Sequence, residues 1–283
     1  MARLQRIMNR YVEYFNLKDV NLELVITKDM YETQKNYGFS ETDTQRISEA
    51  VARQNWKHVA ACMKFPKSID DSFALIFKEP YLRKVEECEL YRLMFHELTH
   101  YVDYKEYARI HNLKSYQELF HSQQTVLFQN WSEYHAERRG YAAYLKHRHG
   151  VRLQYDVTPK KIKIMEDETL RNLMFYAEHY TNTAEYGSSR QIYFTMHLLA
   201  RMSIWMQILP SHVAEILSKD PFNYKGIEWI KKLMLLFAQY PTLEKMDPHL
   251  MDIAKIIAEN LALPKEEIYD LVASMDAIDE IIC

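Results

Sequence analysis

The chain has 283 residues, which is enough for one large domain or two of ordinary size. Hydrophobic residues make up 48% and charged residues 27%, a composition typical of globular proteins that excludes a largely disordered chain. The formal net charge of −3 gives no general reason to expect a nucleic-acid partner. With only five glycines, the sequence disfavours turn-rich β folds and glycine-built phosphate loops.

The predicted elements in the first third of the chain are both helices and strands. Apolar residues at helical spacing predict a helix over 3–16, and the alternating segment 21–29 predicts a strand. Capping residues followed by a polar amphipathic pattern predict a surface helix over 40–56. Two further strands are predicted at 58–65 and 72–79, on either side of the turn-like segment PKSIDD.

Helices dominate the remainder of the chain. Long helices are predicted over 82–110 and 123–147, and every segment from 155 onward has helical periodicity. We therefore expect a predominantly helical α+β protein. Its core is expected to occupy residues 1–150, followed by an all-helical region over 151–283.

The sequence has the features of an intracellular protein. No apolar run approaches the roughly 18–20 residues that span a bilayer, and the N-terminal segment lacks the uninterrupted apolar stretch of a signal peptide. Cys62, Cys88 and Cys283 are scattered and have no metal-binding spacing, which is typical of reduced thiols. These observations predict a cytoplasmic location without membrane contact.

Residues 96–100 have the sequence His-Glu-Leu-Thr-His in the middle of a predicted long helix. His96 and His100 lie about 40° apart around such a helix, so both imidazoles can reach one zinc ion at about 2.0–2.1 Å. Glu97 lies about 60° beyond His100. There it is poorly placed as a third ligand but well placed to hold a water molecule beside the ion.

The alternative interpretation is a pair of core histidines that happen to lie four residues apart. An apolar stripe on a different face of the same helix argues against it, because this stripe can pack into the core separately. The stripe consists of Tyr91, Phe95, Leu98 and Val102. The pattern therefore favours a helix with one packing face and one metal face.

A catalytic zinc site takes three protein ligands and leaves a fourth position for water. A histidine six residues after His100 is ruled out as the third ligand, because Glu106 occupies that position. On the next long helix, Glu133 and Glu137 share one face beside the small Ala136, where two helices can approach closely. We expect Glu133 to bind the ion and Glu137 to hydrogen-bond the far nitrogen of a ligating histidine.

Several alternatives remain open at these positions. The other candidates for the third ligand are Glu137, Glu118 and His121. Asp103 lies about 20° from His96 around the helix. It either supports a ligand through a hydrogen bond or is an ordinary solvated charge.

HELTH followed by a helix with the pattern E-x-x-A-E resembles the gluzincins, the zinc peptidases typified by thermolysin, in which a glutamate is the third ligand. The order helix, small sheet, HExxH helix and glutamate helix is more narrowly similar to the compact ImmA/IrrE-type metallopeptidase domains, some of which cleave repressor proteins. The resemblance covers residues 1–150 and implies one zinc ion per chain. The matching residues are His96, His100 and Glu133 as metal ligands and Glu97 as the general base. Family members often have Asn or Asp where this chain has Glu137, and many have Gly where it has Thr99.

The predicted function is zinc-dependent hydrolysis of a peptide or protein substrate. Zinc would lower the pKa of a bound water toward about 7, and Glu97 would take the water proton and deliver it to the leaving amine. Candidate donors to the oxyanion are His179 and Tyr186. Segment 72–79 is expected to be a sheet edge that aligns an extended peptide. The alternatives are a catalytically inactive zincin-like regulatory or interaction protein and a metal-dependent hydrolase of a non-peptide amide.

The helical segment 192–209 is rich in Tyr and Met, and it contributes to the predicted C-terminal region. We interpret it as ordinary core, the alternative being a groove of flexible Met side chains for a regulatory partner. We expect it either to complete the pocket of the catalytic core or to bind a partner that controls access to that pocket.

Overall fold

A computed structural model shows an α+β protein that is mostly helical and has a small three-stranded sheet, as the composition and periodicity predicted. The structure describes residues 1–37, 59–66, 68–121, 123–151, 160–161, 163, 171, 188–208 and 227–261. The helix predicted over 40–56 and the oxyanion candidates His179 and Tyr186 lie outside these residues. Within them, no helix combines the length and apolar character needed to cross a bilayer.

The sheet consists of β1 (Leu22–Thr27), β2 (Ala61–Lys64) and β3 (Phe73–Lys78) in the order β1-β3-β2. Strand β1 is parallel to β3, and β2 is antiparallel to it. The prediction that segment 72–79 is a sheet edge was wrong, because β3 is the central strand. Its side chains are buried on both faces of the sheet, and a central strand satisfies its backbone on both sides as well.

Nine α-helices have their bounds within the described part of the chain. They are α1 (Ala2–Tyr14), α2 (Met30–Asn36), α3 (Glu79–Leu82), α4 (Glu87–Ile110), α5 (Gln123–His149), α6 (Ser188–Ile208), α7 (Ile227–Gln239), α8 (Leu243–Met246) and α9 (Leu250–Leu261). Two short 3₁₀ helices cover Tyr116–His121 and Asp247–His249. The helices predicted over 3–16, 82–110 and 123–147 are thus present with ends shifted by a few residues, apart from the break between α3 and α4.

Helix α4 carries the HELTH sequence, and its limits follow from its sequence. Glu87 and Glu89 lie in its first turn, where negative charge interacts favourably with the helix dipole. At the other end Asn112 adopts φ 53°, and the amide groups of Asn112 and Leu113 bond back to the carbonyls of Arg109 and Ala108. This is the Schellman arrangement that terminates a helix.

Helices α4 and α5 form an antiparallel pair around their closest approach at Gly140. A Cβ atom on Gly140 would lie 2.6 Å from the carbonyl oxygen of Arg92 and 3.1 Å from the Cβ of His96. The sequence pointed to Ala136 as the small residue at this crossing, and Ala136 is indeed fully buried. The absence of a side chain at Gly140 is what lets α5 approach the backbone beside His96.

Helix α6 packs along α5, so the predicted C-terminal region contacts the predicted core directly. Trp205 Nε1 donates to Tyr141 Oη at 3.1 Å, and Arg201 Nε donates to Glu137 at 2.7 Å. The boundary near residue 150 stays a prediction. The contacts show that residues beyond it reach the centre of the molecule.

We expect Gly140→Ala to destabilise the protein, although alanine favours a helix by about 1 kcal/mol over glycine. The new methyl group would force α4 and α5 apart, and such overpacking costs roughly 1–3 kcal/mol. Urea unfolding measures the change. Lys146→Gly compared with Lys146→Ala, at an exposed position of the same helix, is the control for helix propensity alone. A Gly140→Ala protein more stable than wild type would contradict the close approach.

Candidate metal centre

Three potential metal ligands converge between α4 and α5. They are His96, His100 and Glu133, whose ligand atoms all lie within 4.8 Å of one another. The Nε2 atoms of the two histidines are 3.2 Å apart, and the Glu133 carboxylate oxygens lie 3.3 Å from His100 Nε2 and 3.7 Å from His96 Nε2. Ligand atoms around a tetrahedral zinc ion are separated by about 3.3 Å. This buried cluster could therefore hold a metal ion.

The donor chemistry of the cluster fits a cation. Two imidazole nitrogens that both carry lone pairs repel each other at this distance, so a proton or a metal ion must lie between them and the carboxylate. Burial opposes a charged imidazole, but the nearby Glu133 carboxylate raises the pKa of His100 to about 9. Burial likewise opposes the ionised carboxylate, yet His100 and His197 hold the pKa of Glu133 well below its usual range.

The far nitrogen of His100 is anchored by a buried hydrogen-bond chain. His100 Nδ1 lies 2.9 Å from Ser132 Oγ, and Ser132 Oγ donates to Asp103 Oδ2 at 3.0 Å. His135 Nδ1 contacts the same carboxylate at 2.9 Å. A proton on His100 Nδ1 leaves Nε2 with the lone pair that a metal needs. Asp103 thus lies behind the ligand, as one of the two interpretations expected, but it acts through Ser132.

The far nitrogen of His96 faces Glu137, the residue predicted to hydrogen-bond it, but the two atoms are too far apart for the predicted bond. His96 Nδ1 lies 3.5 Å from Glu137 Oε2 and forms no hydrogen bond of ordinary geometry among the described residues. The carboxylate of Glu137 is fully buried and accepts from Arg201 at 2.6 and 2.7 Å and from Arg92 at 3.2 Å. Burial opposes its ionisation, but these cations, Arg201 foremost, hold the pKa of Glu137 well below its usual range.

Glu97 lies beside the cluster and is not a member of the ligand group. Its side chain is buried, and burial raises the pKa of its carboxyl group despite the opposing influence of His96 and His100. The backbone amide of Met63 in β2 bonds to this carboxylate. Glu97, on α4, therefore also contacts strand β2 of the sheet.

The remaining sequence candidates for the third ligand differ in their placement. Glu118 is exposed, and its carboxylate accepts the backbone amides of Lys114 and Ser115, so it caps a turn away from the cluster. The side chain of His121 lies outside the described part of the structure. Of the carboxylates considered, Glu133 is the one whose oxygens face both histidines.

Sequence reasoning missed five residues that touch this centre. They are Arg92, Ser132, His135, His197 and Arg201. The sequence could have indicated two of them. His197 and Arg201 are four residues apart on a predicted helix, which is the same spacing as Glu133 and Glu137. The interpretation of segment 192–209 as ordinary core covers its apolar residues, such as Met196 and Leu199, but leaves out these polar ones.

Comparisons with known proteins return no match, whether with family models, curated proteins or solved structures. The resemblance to gluzincins consequently stays an interpretation of the motif. What the chain shows by itself is the geometry of His96, His100 and Glu133.

The ligand set predicts the metal content of the protein. Wild type incubated with zinc should retain about one ion per chain, and His96→Ala or Glu133→Ala should lose it because each removes one of three ligands. Elemental mass spectrometry of the desalted protein measures this. In wild type, the imidazole of His249 pairs with Asp252 at 3.1 Å. His249→Ala is therefore the control, and this variant should keep its zinc. Retention of zinc by a folded Glu133→Ala protein would exclude Glu133 as a ligand.

Proposed function

We propose that this protein is a zinc-dependent metallopeptidase of the gluzincin kind. One observation carries the proposal: the ligand atoms of His96, His100 and Glu133 converge within 4.8 Å in a buried site, with Glu97 beside them. Three protein ligands leave the fourth position for water, as catalytic zinc sites require. A pair of core histidines would not need a carboxylate facing both of their Nε2 atoms.

Glu97 has the environment of a general base. A carboxylate with a raised pKa accepts a proton more readily near neutral pH than an ordinary glutamate does. The amide of Met63 holds the carboxylate in place. When bound, a zinc ion would supply Lewis acidity at the scissile carbonyl and make water a better nucleophile. Glu97 would accept the proton of the attacking water and return it to the leaving amine.

Strand β2 is better suited than β3 to align an extended substrate. It is hydrogen-bonded to β3 on one side, and the amide of Met63 reaches Glu97 on the other. A peptide added along this second side would pass directly beside the general base. Backbone pairing of this type binds peptides without regard to most of their side chains.

A regulatory protein with a structural metal is the second candidate, and the burial of the centre favours it. The side chains of His96, His100 and Glu133 are only 11%, 8% and 12% exposed. Structural zinc sites are typically closed to solvent, whereas catalytic sites need an open position. The two candidates differ in whether the carboxylate of Glu97 matters once the metal is bound.

We expect Glu97→Gln to reduce peptide hydrolysis by roughly 10²–10⁴-fold, since proton transfer by a placed side chain contributes about that much. The zinc content should stay at the wild-type level because Glu97 is not a ligand. The assay combines a library of quenched fluorescent peptides with elemental analysis of the same samples.

Glu106→Gln is the matched control, because this more exposed glutamate on the same helix pairs with Arg109. It should retain full activity. Equal hydrolysis by wild type and Glu97→Gln would refute the general-base role. Stoichiometric zinc without any hydrolysis by wild type would favour the regulatory protein.

A further inference from the structure

Helices α5 and α6 run parallel in a fixed register. Three residues spaced by four on α5 each contact the residue 64 positions later on α6. The pairs are Glu133 with His197, Glu137 with Arg201, and Tyr141 with Trp205. Two of these three pairs lie at the level of the metal centre, and the third lies one turn beyond it.

The two carboxylate oxygens of Glu137 have different partners. Arg201 Nε donates to Oε1 at 2.7 Å, and Arg201 Nη2 forms an ion pair with the same oxygen at 2.6 Å. Oε2 is left facing His96 Nδ1 at 3.5 Å and His197 Nδ1 at 3.5 Å, and it also accepts from Arg92. A carboxylate held in this way keeps a fixed negative charge beside the far nitrogen of His96.

His197 acts on the other glutamate. Its Nε2 lies 3.3 Å from Glu133 Oε2, while the opposite oxygen of Glu133 is 3.3 Å from His100 Nε2. His197 itself falls outside the group of atoms that could share one ion. Its contact therefore orients the carboxylate and does not add a fourth ligand.

A contribution to folding stability does not by itself explain why these polar pairs are buried. A buried ion pair costs desolvation energy, and replacement by apolar residues of similar volume is often neutral or stabilising. The third pair shows that the same interface is also built from aromatic side chains, Tyr141 and Trp205. Arg138 also donates to Ser203 at 3.2 Å across this interface, but the described pairs in which α6 contacts a buried carboxylate are those at Glu133 and Glu137.

We propose that Arg201 and His197 are positioning residues of the metal centre, Arg201 acting through Glu137 on His96 and His197 acting through Glu133. Helix α6, from the predicted C-terminal region, is then part of the metal site. This inference rests on the proposed metal-binding function. It concerns groups that orient ligands and does not depend on the identity of the substrate.

The test is the apparent dissociation constant for zinc, measured by competition with a chromophoric chelator on the full chain. Arg201→Met and His197→Leu should each weaken zinc binding by roughly 10–100-fold, the usual effect of losing a partner that orients a ligand. Arg201→Lys should recover part of the loss because it keeps the charge without the two-nitrogen contact. The visible absorption of bound Co²⁺ should shift in His197→Leu, since the Glu133 ligand is reoriented.

A double variant separates positioning from folding. Glu137→Leu combined with Arg201→Met leaves an apolar pair, so its melting temperature should exceed that of the Arg201→Met protein. Its zinc affinity should stay low, because the carboxylate that faces His96 Nδ1 is gone. Tyr141→Phe removes the hydrogen bond in the third pair and should leave zinc affinity at the wild-type value.

The outcomes distinguish the two proposals. If wild type binds no zinc, both the metallopeptidase proposal and the positioning role are wrong. If wild type binds zinc and Arg201→Met and His197→Leu bind it equally well, only the positioning role is wrong. Recovery of zinc affinity together with stability in the double variant would also overturn it, because Arg201 would then act merely on folding.

Discussion

The carboxylate of Glu137 joins three helices through ion pairs and close polar contacts. It is fully buried on α5, and it is contacted by Arg92 and His96 of α4 and by Arg201 and His197 of α6. A buried ionised carboxylate is stable only when cations and hydrogen-bond donors surround it. His96 and His197 therefore lie close together on either side of this one charge.

The candidate metal centre is built on helices, and side chains behind the two histidines contact them. Both candidate ligand histidines are on α4, and each has a partner on α5 near its far nitrogen: Ser132 for His100 and Glu137 for His96. Partners of this kind fix the tautomer and the ring orientation of a ligand. The charge of Glu137 is balanced by arginines, whereas the contacts of Glu133 are imidazoles, which leaves the charge of Glu133 for a cation.

The sheet contributes one backbone contact to the candidate site. Burial of β3 on both faces gives α4 a surface to pack on, and β2 brings one backbone amide to Glu97. The raised pKa of Glu97 and the low pKa of Glu133 are opposite responses to one buried environment. Glu133 is surrounded by imidazoles that bond to it, while burial dominates at Glu97.

The sequence by itself determined the elements and the neighbours within each helix, because helical periodicity is a local property. The four-residue spacing of His96 and His100 was enough to put them on one side of α4, and the same spacing paired Glu133 with Glu137. Only the tertiary structure decided the strand order, the approach of the helices at Gly140 and the arrival of His197 and Arg201 from α6. Contacts between distant segments depend on the register in which whole faces pack, and no local pattern specifies that register.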